Sequence, residues 1–413
     1  MTRLRHNVTL SVAKGLLASI AIIARPAAAQ EPGSNLQVYL MTMGAGADIE
    51  ERFGHNAIWI RDTVAHSDLI YNFGTYDFPR TVPGLIAFGA EFAMGPPRYW
   101  LGVDRNLDNE LSLYQSRQRD LSAQELNLTP AQRADLAARL AVNARDENKY
   151  YLYDYFRDNC STRVRDILDL ELGGALKRAT LGKPADGTLR FHTRRSITND
   201  KLLYFGIDLA FGPRVDRPLD QWDEMFLPEK VAAHVNELTV PGADGKPDSL
   251  VKRSFSLLTI GAYHVEPAPP AWGGFFLAIG LVVAALIKLA SARGRVAMVG
   301  RVIGGAWMLS MGIGGLVLLA FWIVTQHVAT WQNHNLLIVS PLAFGLVSTF
   351  WHRRDSIPGR WTQWIARVLI GSVAFGALFA IFPSVGGQEN LPIALLTTPP
   401  TLIGALIALN RRS

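Results

Sequence analysis

Up to Pro270 the hydrophobic residues come in short groups broken by polar ones, and beyond it the chain runs in long apolar stretches with few charges. The change falls at Pro267-Ala268-Pro269-Pro270, a segment that suits a linker. The long stretches cover residues 272–290, 302–325, 336–351, 364–382 and 391–409. Each is close to the length of about 20 residues that an α-helix needs to cross a bilayer, so five spans are predicted. Before the linker the pattern alternates in twos at 37–43, 56–60 and 68–74, which predicts strands, the last two joined as a hairpin. Between 128 and 144 the period lengthens: Thr129 can cap, Pro130 fits the first turn, and Leu136, Leu140 and Ala144 recur every four residues as on one face of a helix. A second helix is predicted after Asp158 or Asn159 as cap, with Val164, Ile167, Leu168 and Leu172 on its apolar face and Gly173-Gly174 as its stop. Strands and helices before 270 with helices alone after it make an α+β domain followed by an α-helical membrane domain.

Charge changes this picture only when it is divided by region. The formal net charge is +6, yet residues 271–413 hold ten Lys and Arg against two acids, and residues 1–29 hold four against none. The segment 30–270 keeps 27 basic and 33 acidic residues, so a nucleic-acid partner is not expected. Arginines 293, 295 and 301 follow the first apolar stretch, 353, 354, 360 and 367 follow the third, and 411 and 412 follow the fifth. The connections 326–335 and 383–390 contain no Lys or Arg. By the positive-inside rule the Arg-rich loops and the C-terminus are cytoplasmic, and the large domain lies outside. Residues 1–29 agree, with Arg3 and Arg5, an apolar stretch over 10–24, and Ala27-Ala28-Ala29 before Gln30. They read as a cleaved secretory signal, with an uncleaved first helix as the alternative. The expected division is therefore signal 1–29, exported domain 30–270 and membrane domain 271–413.

The chain has a single cysteine, Cys160, so it forms no internal disulfide. Its place in the first turn of the second predicted helix puts the thiol at the positive end of the helix dipole, which favours the thiolate. His55 stands at the start of the strand over 56–60, a rigid position that suits a base. A Cys and a His with a polar third group form the kind of arrangement used for covalent acyl transfer. Two candidates could orient the imidazole: Asn72 on the next strand, which the fixed position favours, and His66 in the connection. His327 and His334, in the uncharged loop 326–335, fit either interfacial anchoring or contact with substrate. No cluster has the spacing of a metal site.

Three motifs, Arg52-Phe-Gly-His-Asn-Ala-Ile58, Tyr71-Asn-Phe-Gly-Thr-Tyr-Asp-Phe78 and Asp158-Asn-Cys-Ser-Thr-Arg-Val-Arg-Asp166, together resemble the extracytoplasmic domain of Lnb-type lipoprotein transacylases. The five apolar stretches and the segment Thr325-Gln-His-Val-Ala-Thr-Trp-Gln-Asn-His-Asn335 fit the same resemblance. It implies an exported domain similar to circularly permuted papain-like folds of the NlpC and lecithin:retinol acyltransferase type, in which the His-bearing strand precedes the Cys-bearing helix. It also implies Cys160 as nucleophile and His55 as general base; the third group stays open between Asn72, favoured by its strand position, and His66, and His327, His334 and Asn335 are candidates for substrate contact. The expected enzyme is a multi-pass protein of the bacterial inner membrane, acting without cofactor on membrane lipoproteins or phospholipid-like acyl donors. A membrane-anchored papain-like peptidase or amidase of the cell wall is the alternative.

Overall fold

The computed structural model describes residues 31–77, 79, 81–242, 245–351 and 359–410. The expected signal segment, and Arg353, Arg354, Arg411 and Arg412, lie outside them. Strands β1 (Leu36–Met43), β2 (His55–Asp62) and β3 (Ser67–Thr75) form an antiparallel meander. Next come α1 (Val82–Met94), β4 (Arg98–Asp104), α2 (Leu107–Ser116), β5 (Leu121–Leu126), α3 (Pro130–Asn143), β6 (Tyr150–Leu152) and α4 (Cys160–Glu171). Four helices follow in the same domain, α5 (Ala175–Thr180), α6 (Leu189–Ser196), α7 (Lys201–Ala210) and α8 (Pro228–Glu237). Two short ribbons lie among them, β7 (Pro184–Thr188) with β8 (Pro218–Asp220) and β9 (Thr239–Pro241) with β10 (Pro247–Ser249). The last strand, β11 (Val251–Leu258), returns to pair with β5, closing a seven-stranded sheet in the order β11-β5-β1-β2-β3-β4-β6.

Both faces of this sheet are covered, so β1 and β2 bury residues on both sides, where the expected alternation would leave one side polar. Val38, Leu40, Ile58, Ile60, Tyr71 and Phe73 pack against Leu136 and Leu140 of α3, Val164 and Leu168 of α4, and Val231 and Val235 of α8. Tyr39, Met41, Ala57, Trp59 and Ile70 point the other way, against Leu107, Leu111 and Tyr114 of α2 and Phe255 of β11. Val164 and Leu168 are fully buried, each removing side chain from water at a gain of about 1.5–3 kcal/mol. Helix α3 begins with a capping box between Thr129 and Gln132 on Pro130, as its sequence predicts.

Among the described residues, four helices of the second domain are long and apolar enough to cross a membrane: α9 (Gly273–Lys288, extended by a 3-10 turn to Ser291), α10 (Gly294–Ile323), α12 (Arg360–Ile381) and α14 (Leu391–Leu409). The third expected stretch takes a different form from the other four. Among the described residues, the stretch 336–351 forms no continuous long helix but a chain of short turns around α11 (Phe344–Val347). Pro341 has no N–H to donate to a preceding turn, so the run restarts there, with Ser340 as cap. The broken run still tracks along α10, where glycines let it approach. A Cβ at Gly315 would stand 2.4 Å from the Pro341 nitrogen, one at Gly312 2.8 Å from the Phe344 ring, and one at Gly304 2.2 Å from the Phe350 ring. A further short helix, α13 (Pro383–Gly386), joins α12 to α14.

The domains meet through polar groups. The side-chain amides of Asn333 and Asn335 donate to the carbonyl of Leu209 at the end of α7, at 2.8 and 2.9 Å, and Asn333 also donates to that of Ala210 at 2.9 Å. Gln388 donates to the Phe211 carbonyl, and Asn390 to Asn335. Gly212 donates to the Ala329 carbonyl at 2.8 Å, in a place where a Cβ would fall 2.1 Å from the Trp331 oxygen. Behind this joint, the fully buried Arg190 forms ion pairs with Asp208 and Asp216.

Candidate functional site

The sequence Asp158-Asn-Cys-Ser-Thr folds as a tightly specified helix start. The Asn159 side chain accepts from the backbone N–H groups of Ser161 and Thr162, both at 2.9 Å, while the Thr162 hydroxyl accepts from the Asn159 N–H. The amide nitrogen of Asn159 donates to the carbonyls of Tyr155 and Phe226. Every polar position of Asn159 is thus used, and Cys160 is fixed as the first residue of α4, where the helix dipole favours a negative sulfur. Helix α4 packs on β2 and β3, and Cys160, 7% exposed, belongs to the core cluster on that side of the sheet.

His55 opens β2, and by the pleat of the strand it shares the opposite face with Ala57 and Trp59. Asn72 of β3 lies on that same face, and its carbonyl oxygen is 3.1 Å from Nε2 of His55. The other half of the Asn72 amide donates to Oε1 of Glu110 on α2 at 2.7 Å. That second bond settles the first. With its N–H₂ committed to Glu110, Asn72 can only accept from the imidazole, so Nε2 carries the proton and Nδ1 is left as the base. Glu110 itself is buried, which pushes its carboxyl above the usual range even though Asn72 and His55 act to lower it.

The imidazole acts on the thiol through its charge. Burial would raise the Cys160 pKa, but the charge of His55, a hydrogen bond from it, the Asn56 backbone N–H and the Ser161 hydroxyl outweigh burial, and the thiol is pushed down to about 7. Burial alone would lower the pKa of His55; the nearby thiolate and Asn72 reverse this and leave it raised. The pair therefore leans toward thiolate and imidazolium, the state ready for nucleophilic attack. The sign of the pH dependence follows. Alkylation of Cys160 by iodoacetamide is expected to rise with pH through a midpoint near 7, below that of a free thiol. In His55→Ala, where burial is no longer offset by the imidazole, the midpoint should move up by a unit or more, on the order of tenfold lower reactivity at pH 7. An unchanged midpoint would separate the two residues.

Gly74, in the second sequence motif, closes the site. It sits at a register shift between β3 and β4 with φ +88°, and a Cβ there would lie 3.2 Å from the Tyr153 ring and 3.7 Å from Cβ of Cys160. Both the left-handed backbone and the close approach call for glycine.

Two family models match this chain. One, described as the Lnb N-terminal periplasmic domain, matches residues 26–199, and the other, described as the Lnb transmembrane domain, matches residues 270–408. The chain belongs to the Lnb family. No curated protein and no solved structure matches it. In this Lnb protein the exported domain is periplasmic and mixed α/β, and the helical domain after it is membrane-spanning.

The remaining sequence candidates of this Lnb chain lie apart. His66 is exposed in the β2–β3 turn, at φ 49°, away from His55 at the other end of β2. Asn335 is fully buried in the domain joint, with both halves of its amide bonded there. His334 is beside Phe379 of α12, with its backbone N–H donating to Gln388. Of these, His327 alone approaches the periplasmic domain near α4, with its ring 5.4 Å from Phe92 and 6.0 Å from Tyr155. Sequence reasoning passed over Glu110, since nothing near it in the chain marks a carboxylate bonded to a residue 38 positions away.

Proposed function

We propose that this Lnb protein is a membrane acyltransferase that moves an acyl chain from the diacylglyceryl group of a bacterial lipoprotein to its N-terminal amine, through a thioester on Cys160. The observation that carries the reading is the bonded series Glu110–Asn72–His55, whose imidazole charge lowers the pKa of the Cys160 thiol at the start of α4, set in a domain joined to membrane-spanning helices. Cys160 Sγ attacks the ester carbonyl, the ester C–O bond breaks, and the departing glycerol oxygen takes the proton from the imidazolium of His55. The lipoprotein amine then attacks the thioester carbonyl and loses its proton to His55, and the C–S bond breaks. An ester has become an amide, one glycerol hydroxyl is free, and the thiolate is restored. Asn72 positions the imidazole, with Glu110 behind it.

The domains are proposed as periplasmic residues 30–270 and membrane residues 271–413, after a signal at 1–29. The broken run 336–351 carries the chain back across the inner membrane as a fifth crossing, so that the C-terminus is cytoplasmic. A reporter fused after Arg412 and active only in the periplasm would overturn this orientation.

The reaction is tested with purified protein in nanodiscs, given a diacylated lipopeptide and, separately, muropeptides. Conversion of the lipopeptide to an N-acyl product of unchanged mass, with a fatty thioester trapped on Cys160, is the expected result. A product heavier by one acyl chain would make a phospholipid the donor. Cleavage of muropeptides without acyl migration would make the protein a peptidase instead. Asn72→Ala is expected to slow transfer on the order of ten- to a hundredfold, less than the loss of the base, because an orienting group works only through His55. Equal losses in Asn72→Ala and His55→Ala, measured as single-turnover rates, would assign Asn72 a larger part.

A further inference from the structure

Helix α1 is apolar, yet most of it is uncovered by protein. Its thirteen residues include one charged side chain, Glu91, and Thr81 caps it through a bond from the Gly84 N–H. At helical spacing, Val82, Ile86, Ala90 and Met94 form one stripe, along which Val82 and Ile86 are each 70% exposed and Met94 54%. A water-facing helix would place polar residues there. The neighbouring stripe, Phe88 and Phe92, borders a run of aromatic rings, with Phe92 still 38% exposed.

That run leads to the nucleophile. Phe88 stacks on Tyr76, Tyr76 on Tyr99 at 4.6 Å, and Tyr99 meets Tyr153 at 4.5 Å. Phe92 meets Tyr155 at 5.6 Å, and Tyr155 meets Tyr153 at 5.8 Å. Both paths end at Tyr153, which shares the space over Gly74 with Cys160. At its other end α1 is tied to the membrane domain. The Gln326 N–H donates to the Met94 carbonyl at 2.9 Å, and the His327 ring bonds the Phe92 carbonyl. Just before Gln326 are Trp322, Ile323 and Val324, the exposed apolar end of α10. The open stripe of α1 is thus continuous with the lipid-facing surface of a membrane helix.

We infer that α1 lies in the outer interface of the bilayer and that, with the rings of Phe92, Tyr155 and Tyr153, it holds a fatty acyl chain on its way from the membrane to Cys160. The occupant of the exposed stripe is lipid hydrocarbon, because the stripe extends the apolar surface of α10 and carries no charge that water would solvate. As a route for an acyl chain, the inference rests on the acyl-transfer reading above; as a membrane contact, it has a readout of its own.

The test uses the full chain in phospholipid vesicles that contain doxyl-labelled lipid. In a Cys160→Ala background, an environment-sensitive fluorophore is attached at Ile86→Cys and, in a second sample, at Val64→Cys in the β2–β3 turn. Quenching of at least about twofold at position 86 and none at position 64 is expected for a helix at the interface. Position 86 unquenched, like position 64, would overturn the inference. With Cys160 present, Ile86→Glu is expected to lower transfer from a bilayer-borne lipopeptide by about tenfold, and Ile86→Leu to keep it. Full transfer by Ile86→Glu would remove the acyl route. Quenching at 86 in the Cys160→Ala background, together with no thioester on the parent chain that keeps Cys160, would support the membrane contact and tell against the reaction, so the two failures are distinguishable.

Discussion

Exchange of Cys160 for alanine is expected to stop acyl transfer, with a fall of about 10⁴-fold or more in the single-turnover rate and no thioester detectable by intact mass. His55→Ala should cost nearly as much, and the double variant little more than either, since a nucleophile and its base act as one unit. The fold should persist. Cys160 contributes a single buried sulfur to the core, a loss of about 1 kcal/mol, and the helix start is held by Asn159 and Thr162. Retained transfer in Cys160→Ala would eliminate the proposed mechanism; a collapsed thermal transition would show that the thiol is chiefly a packing residue.

The largest effect on stability is expected at Arg190. Its guanidinium is fully buried and donates to Asp208 at 2.8 Å, to Asp216 at 2.6 Å, and to the carbonyls of Asp208, Phe211 and Gly212. Arg190→Met removes the one donor that these acceptors share, although Asp208 keeps Arg194, Asp216 keeps the Glu389 N–H and Phe211 keeps Gln388. Removing one partner of a buried pair costs about 3–5 kcal/mol. In a domain of this size that corresponds to a fall of roughly 10 °C in the melting temperature of the periplasmic domain. Because Phe211 and Gly212 also bind the membrane domain, protease cleavage near residues 211–217 should appear in the variant at temperatures where the parent is resistant. A melting temperature within about 2 °C of the parent would contradict this account.

The parts of the fold legible in the sequence are those written in local pattern. Thr129-Pro130 and Asn159-Cys160 start helices through contacts within three residues, and β2 and β3 are joined by the short turn 63–66. What local pattern cannot carry is a partner chosen by the tertiary fold. Glu110 looks like any acid on a polar helix face until α2 packs it under Asn72. Strand β11 meets β5 across more than a hundred residues, so its place in the sheet has no neighbouring signal. Asn333 and Asn335 read as a polar outer loop, yet they are buried, because the carbonyls at the end of α7 need donors. In the stretch 336–351 hydropathy is satisfied while Pro341 breaks the helix, a conflict that average apolarity conceals.

The asparagine joint between α7 and the membrane domain has a kinetic consequence. On the proposed function, a cleft held at a set height over the lipid cannot search bulk water for substrate; it samples the plane beneath it. Substrate is then counted as mole fraction per area of membrane. Adding inert phospholipid at constant total lipoprotein should slow turnover in proportion, although the concentration in the tube is unchanged, and the enzyme would follow two-dimensional surface-dilution kinetics.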